Sequence, residues 1–121
     1  MLRMLASMTF GSPGIEVTPQ QAKEMLDAGA QLIDVREGYE WEAGRIAGAR
    51  HIELERLASQ AASIDKDRPV VFQCRLGARS AFATQAFRAE GYDAWSMAGG
   101  LQRWHDEGLP LEPEDGSVAD H

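Results

Sequence analysis

The chain has one cysteine, Cys74, in 121 residues, and that scarcity excludes an internal disulfide. Its three histidines, His51, His105 and His121, are scattered. They offer no zinc-ligand spacing, so no structural metal is expected. Basic residues are also in deficit, with 12 Lys and Arg against 19 Asp and Glu and a formal net charge of −7. Without a basic stripe to neutralise a row of phosphates, neither nucleic acid nor an anionic membrane surface is an expected partner. No apolar run approaches the length of a membrane span, and the first ten residues are too short and too interrupted by Ser7 and Thr9 for a signal peptide. No internal repeat or low-complexity segment is present. An unpaired, reactive thiol fits a reducing compartment, and the cytoplasm is the expected location.

The length allows one domain with a single core. Residues 1–14 read as a flexible leader, 15–111 as the folded domain, and 112–121 as a flexible acidic tail. Within the domain, Thr18-Pro19-Gln20-Gln21 marks a helix start, with Thr18 at the N-cap, Pro19 at the first helical position and Gln21 completing a capping box. Ala22, Met25 and Leu26 supply its apolar face, and Gly29 suits its left-handed end. A strand is expected over 31–35, a short helix over 37–43, a turn and short strand over 44–52, and a helix from Glu53 carrying Leu54, Leu57, Ala58 and Ala61. A buried strand over 70–73 leads into the cysteine. Beyond it lie a helix with Phe82, Ala83, Ala86 and Phe87, a strand over 92–97, and a helix carrying Leu101 and Trp104. Strands and helices alternate, which is the pattern of a parallel α/β sheet covered on both faces.

Against the acidic background, Arg68 to Ala89 contains four arginines and no carboxylate. Cys74 sits inside this stretch and opens the segment Cys74-Arg75-Leu76-Gly77-Ala78-Arg79-Ser80. A strand entering a glycine-containing loop and then a helix builds an anion cradle, because successive backbone N–H groups and the helix N-terminus point at one place. The helix dipole, Arg75 and Arg79 are expected to favour the thiolate, the nucleophilic form. A lone cysteine at a strand end is more commonly a small buried apolar residue. That role requires neither Gly77 nor the two arginines. Open parallel sheets also gather ligands at the carboxyl ends of their strands, where Cys74 falls.

The pieces Leu32-Ile33-Asp34-Val35-Arg36-Glu37, Gly44-Arg45-Ile46-Ala47-Gly48-Ala49-Arg50-His51-Ile52, the loop Cys74 to Ser80, Gly91-Tyr92, and Met97-Ala98-Gly99-Gly100 with Trp104 resemble a single-domain rhodanese in order and spacing. The resemblance runs from about Ile15 to Leu111. It implies a three-layer α/β fold with a mainly parallel five-stranded sheet, and a thiosulfate sulfurtransferase needing no cofactor. Cys74 would carry a sulfane sulfur as a persulfide, and Arg75 through Ser80 would bind the donor. The donor would be a small anion such as thiosulfate; the acceptor would be cyanide, glutathione, thioredoxin or another protein thiol. With no second cysteine to resolve the persulfide, the acceptor must be a separate molecule.

Two other classes are open. Non-catalytic or redox-sensing modules share this fold, although inactive members usually lack the cysteine. Related cell-cycle dual-specificity phosphatases and arsenate reductases have a loop one residue longer than the four residues between Cys74 and Arg79. The shorter ring suits a sulfane sulfur better than a tetrahedral phosphate. Asp34 and Arg36 read as supporting residues that brace the loops, with Arg36 and Glu40 a further pair if the following helix starts early enough. His51 reads as a structural hydrogen-bonding residue. Trp41, Trp95 and Trp104 read as core or pocket wall, with Trp95 and Met97 candidates for the entrance. Ser80 reads as a helix cap that supports the loop.

Overall fold

The computed structural model describes residues 14–121. The expected leader, apart from Gly14, lies outside the described residues. Five strands, β1 (Glu16–Val17), β2 (Gln31–Asp34), β3 (Arg50–His51), β4 (Val70–Gln73) and β5 (Ala94–Met97), form one sheet in the order β1-β5-β4-β2-β3. Every strand pair is parallel. The helices are α1 (Pro19–Asp27), α2 (Gly38–Ala43), α3 (Ala78–Ala89) and α4 (Gly100–Asp106).

β4 is central and all four of its residues are buried, which explains its unbroken apolar start. Its alternate side chains divide the core. Val70, Phe72 and Cys74 pack with Ala83 and Phe87 of α3 and with Leu57 and Ile64. Val71 faces the other layer, where Ala22 of α1 and Leu101 and Trp104 of α4 meet Leu32 and Met97. The sheet is thus covered on both faces, giving the expected three-layer arrangement.

The start of α1 follows its sequence closely. Gln21 N–H donates to Thr18 Oγ1 at 3.1 Å, and Thr18 N–H donates back to Gln21 Oε1 at 2.8 Å, completing the capping box. The segment after Glu53 differs from expectation. Instead of one α-helix it forms two 3-10 turns, Leu54–Arg56 and Ala58–Ser63. Leu54 and Leu57 are three apart, as are Ala58, Ala61 and Ile64, which suits three residues per turn. Arg50 Nη2 holds Ser63 Oγ at 2.6 Å, and Tyr92 Oη donates to Ala61 O at 3.1 Å, pinning the segment locally.

Candidate active site

The nucleophile loop starts where β4 ends, with its carbonyls turned outward. Leu101 N–H donates to Cys74 O at 2.8 Å and Gln102 N–H donates to Arg75 O at 3.1 Å, so the first turn of α4 takes up both groups. The approach is close enough that a Cβ on Gly100 would overlap Cys74 O and Arg75 O. Gly100 also has φ +61°, a left-handed conformation that glycine adopts without steric penalty. Gly77, at φ +117°, makes the corresponding turn into α3 as its N-cap.

With its carbonyls engaged elsewhere, the loop points N–H groups at the sulfur. Gly77 N–H lies 3.1 Å from Cys74 Sγ and Ser80 N–H lies 3.4 Å from it. Two convergent donors beside the N-terminus of a 12-residue helix form a setting suited to negative charge on sulfur. Ser80 occupies the third helical position, so it is not the expected N-cap; Gly77 is. Its hydroxyl instead links the site to the core, donating to Gly77 O at 3.1 Å, lying 2.8 Å from Ser96 Oγ and 3.6 Å from Cys74 Sγ.

Cys74 is 1% exposed, yet it lines a cleft of about 320 Å³ whose other walls are Arg75, Leu76, Ala78, Arg79 and His121. This volume is near the lower end for small-molecule sites. Trp95 and Met97, expected as candidates for the entrance, are not among its walls. Trp95 lies under Arg88, with the guanidinium carbon 4.5 Å from the ring centroid, and Met97 is fully buried.

The two loop arginines have different settings. Arg79 is clamped by Glu40 of α2, with Nη1 to Oε1 at 2.8 Å and Nη2 to Oε2 at 3.0 Å. Burial pushes the Glu40 carboxyl up, but the Arg79 hydrogen bonds, the Glu37 N–H and the Arg79 charge outweigh it and leave Glu40 below the ordinary carboxylate range. The same hydrogen bonds hold Arg79 above its usual value. Arg75 instead meets an exposed carboxylate, with Nη2 3.2 Å from Asp120 Oδ1.

Asp34 and Arg36 are fully buried and form a pair, with Arg36 Nη2 donating to Asp34 Oδ2 at 2.7 Å and to Gly44 O at 2.7 Å. They tie β2 to the turn after α2 and do not line the cleft. The considered Arg36–Glu40 pair is absent, because α2 begins at Gly38 and Glu40 faces Arg79. With His121 of the cleft wall, Glu40 is a site residue that the sequence does not mark. Its local signal was the spacing from Glu37, whose N–H donates to Glu40 Oε1 at 2.9 Å, but its partner lies 39 positions away. His51 Nε2–H donates to Arg36 O at 2.7 Å, and its ring stacks on Trp41 at 4.9 Å, consistent with a structural role. Among the described residues, no group of three or more His, Cys, Asp or Glu is placed to hold a metal ion.

A parallel α/β sheet with a cysteine loop at a strand's carboxyl end defines the class. Residues 18–107 match the rhodanese-like domain, and the chain belongs to that family. Its relatives include the thiosulfate sulfurtransferase GlpE of Pseudomonas aeruginosa (strain LESB58), 35% identical over 89 residues that cover 73% of this chain and 81% of the relative. YqhL of Bacillus subtilis is 42% identical over 76 residues, covering 62% of this chain and 60% of that protein. Among solved structures, a rhodanese-related protein from Thermoplasma volcanium superposes with a TM-score of 0.75 at 28% identity, over 79% of this chain and 95% of that one. A rhodanese-like domain protein from Staphylococcus aureus gives 0.70 at 31% identity, over 78% and 94% respectively. The five-stranded parallel sheet is therefore a rhodanese fold, and the family includes sulfurtransferases. No helix among the described residues is long and apolar enough to cross a membrane.

Proposed function

We propose that the protein is a sulfurtransferase that carries sulfane sulfur on Cys74, with thiosulfate or a similar small anion as donor and a separate thiophile as acceptor. The observation that carries this reading is the convergence of the Gly77 and Ser80 N–H groups on the Sγ of Cys74, a residue that lines a small cleft. In the first half-reaction the Cys74 thiolate attacks the outer sulfur of thiosulfate. The bond to the sulfonate sulfur breaks, and sulfite leaves with the electron pair. In the second, cyanide, glutathione, thioredoxin or another protein thiol, as its thiolate, attacks the terminal sulfur of the persulfide, and Cys74 leaves as thiolate with its pair.

Neither displacement needs an external oxidant. The first starts from the Cys74 thiolate and the second restores it, so the two N–H groups that point at Sγ hold the attacking form and stabilise the charge that returns to Sγ in the second displacement. One nucleophile serving two displacements gives ping-pong kinetics. Because the loop is the binding site in this reading, Arg75, Leu76, Gly77, Ala78, Arg79 and Ser80 contact the donor, and Asp34 and Arg36 support the strand end from below. The cytoplasm is the proposed place of action, as a compartment that keeps this thiol reduced.

Initial rates with thiosulfate and cyanide varied together should give parallel double-reciprocal lines, and Cys74→Ser should abolish thiocyanate formation. Undiminished activity in Cys74→Ser would exclude the mechanism, since a largely protonated serine is a poor sulfur acceptor. Phosphate-monoester hydrolysis without sulfur transfer would place the protein with the phosphatases instead.

A further inference from the structure

Residues 112–121 lie as a strap that ends at the cleft. Glu112 bridges antiparallel to Arg45, with Arg45 N–H donating to Glu112 O at 2.8 Å and Glu112 N–H donating to Arg45 O at 2.6 Å. Ser117 N–H then donates to Ala43 O at 2.8 Å. The strap crosses Gly44 so closely that a Cβ there would overlap Ser117 O, and Val118 packs against the core beside α4. These contacts are invisible in the tail's acidic composition, which suggested mobility. They deliver Asp120 to Arg75 and His121 to the cleft wall beside Cys74.

The Asp120 contact is an exchangeable one. Its side chain is 95% exposed and meets Arg75 at 3.2 Å, while Arg75 Nε is buried without a hydrogen-bond partner. Asp120 therefore leaves part of the guanidinium unsatisfied. A ligand with several oxygens on one centre, such as a sulfonate, is able to engage the guanidinium at more than one N–H. Such a ligand competes with Asp120 for the same cation and meets its charge at the mouth.

We propose that Asp120 is a specificity-determining residue of the Cys74 site, an internal competitor for Arg75 that discriminates against anionic donors relative to neutral ones, and more strongly the higher their negative charge. This rests on the reading of Cys74 as the sulfur-accepting group, and it extends that reading to the charge class of the donor. Thiosulfate then binds only after displacing Asp120. A singly charged organic persulfide meets less repulsion, gives its outer sulfur to Cys74 and leaves as the corresponding thiolate.

The test uses two alkylating probes that differ in charge and share a leaving group, iodoacetate and iodoacetamide. Their rates with Cys74 are compared in the wild type, in Asp120→Asn, and in Glu114→Gln, which removes one charge from an exposed part of the same strap. Asp120→Asn should raise the iodoacetate-to-iodoacetamide rate ratio about two- to five-fold at low salt, the range of an exposed ion pair. The gain should shrink as added salt screens the mouth. Glu114→Gln should leave the ratio near that of wild type. KM for thiosulfate should fall by a similar factor in Asp120→Asn with kcat retained. An unchanged ratio in Asp120→Asn, or an equal rise in Glu114→Gln, overturns the proposal. The alkylation readout does not require sulfur transfer. A shifted ratio in a protein that never loads sulfur would sustain the charge gate and reject the sulfurtransferase reading.

Discussion

Arg79 and Glu40 form a two-pronged ion pair that joins the cysteine loop to α2, with both N–O distances at or below 3.0 Å. The Glu40 side chain is wholly buried and that of Arg79 is 18% exposed. The charge beside the nucleophile is thus largely compensated on one side of the loop. Arg75 is left as the cation with the weaker partner. Glu40 acts as a positioning residue, because it sets where Arg79 points and reaches the cleft only through it.

Replacing Glu40 by Gln leaves the Arg79 charge partly buried without its counterion. The expected loss is about 3 kcal/mol, at the lower end for breaking a buried pair because Arg79 retains some solvent contact. Urea unfolding of Glu40→Gln against wild type measures it. The pH dependence has a defined sign. A carboxyl held below its unfolded value contributes stability that is present above about pH 4.3 and is lost as pH falls through the lowered value. The wild-type advantage over Glu40→Gln should therefore be flat near neutrality and narrow on acidification below that window. A constant advantage down to strong acid would contradict the ion-pair account.

Arg75→Glu should raise KM for thiosulfate about ten-fold or more, since a charge-assisted hydrogen bond contributes roughly 1.5–3 kcal/mol. Initial-rate kinetics on the folded variant decide the matter. An unchanged KM removes Arg75 from the donor site.

The Ser80 hydroxyl links Gly77 O, Ser96 Oγ and Cys74 Sγ. Ser80→Ala should lower kcat/KM for thiosulfate several-fold, the equivalent of about 1 kcal/mol for one hydrogen bond. Its backbone N–H survives the substitution, so activity should be reduced and not abolished. Complete loss in a folded Ser80→Ala would give the hydroxyl a larger role than bracing.

Gly100 distinguishes loop geometry from global stability. Adding a Cβ at its left-handed backbone costs about 1–2 kcal/mol, and the overlap with Cys74 O and Arg75 O must be relieved by moving the nucleophile loop. Gly100→Ala should therefore lose at least ten-fold in kcat/KM for thiosulfate under conditions where circular dichroism reports a folded protein. Retained activity would mean that the loop tolerates displacement from α4.

The parts of the fold legible in the sequence are those fixed by neighbouring residues. Thr18, Pro19 and Gln21 specify the start of α1 through a reciprocal hydrogen-bond pair three positions apart. Val70 to Gln73 announce a central strand because both faces of it are buried. β1 escaped notice because it contains two residues and exists through pairing with β5, about 80 positions later. The turns after Glu53 were read as α-helix because spacings of three and four overlap in so short a stretch. At the site, Cys74 and its loop were contiguous and readable. The Glu40 clamp and the Asp120 strap were not, because each depends on a partner more than 35 positions away.

The central claim is that Cys74 takes up one sulfur. Reduced protein should be exposed briefly to excess thiosulfate and its intact mass measured before and after cyanide, with Cys74→Ala treated in parallel. The account predicts a gain of one sulfur on the wild type alone, reversed by cyanide with release of thiocyanate. An equal gain on Cys74→Ala, or no gain on the wild type with thiosulfate or any organic persulfide, would contradict it.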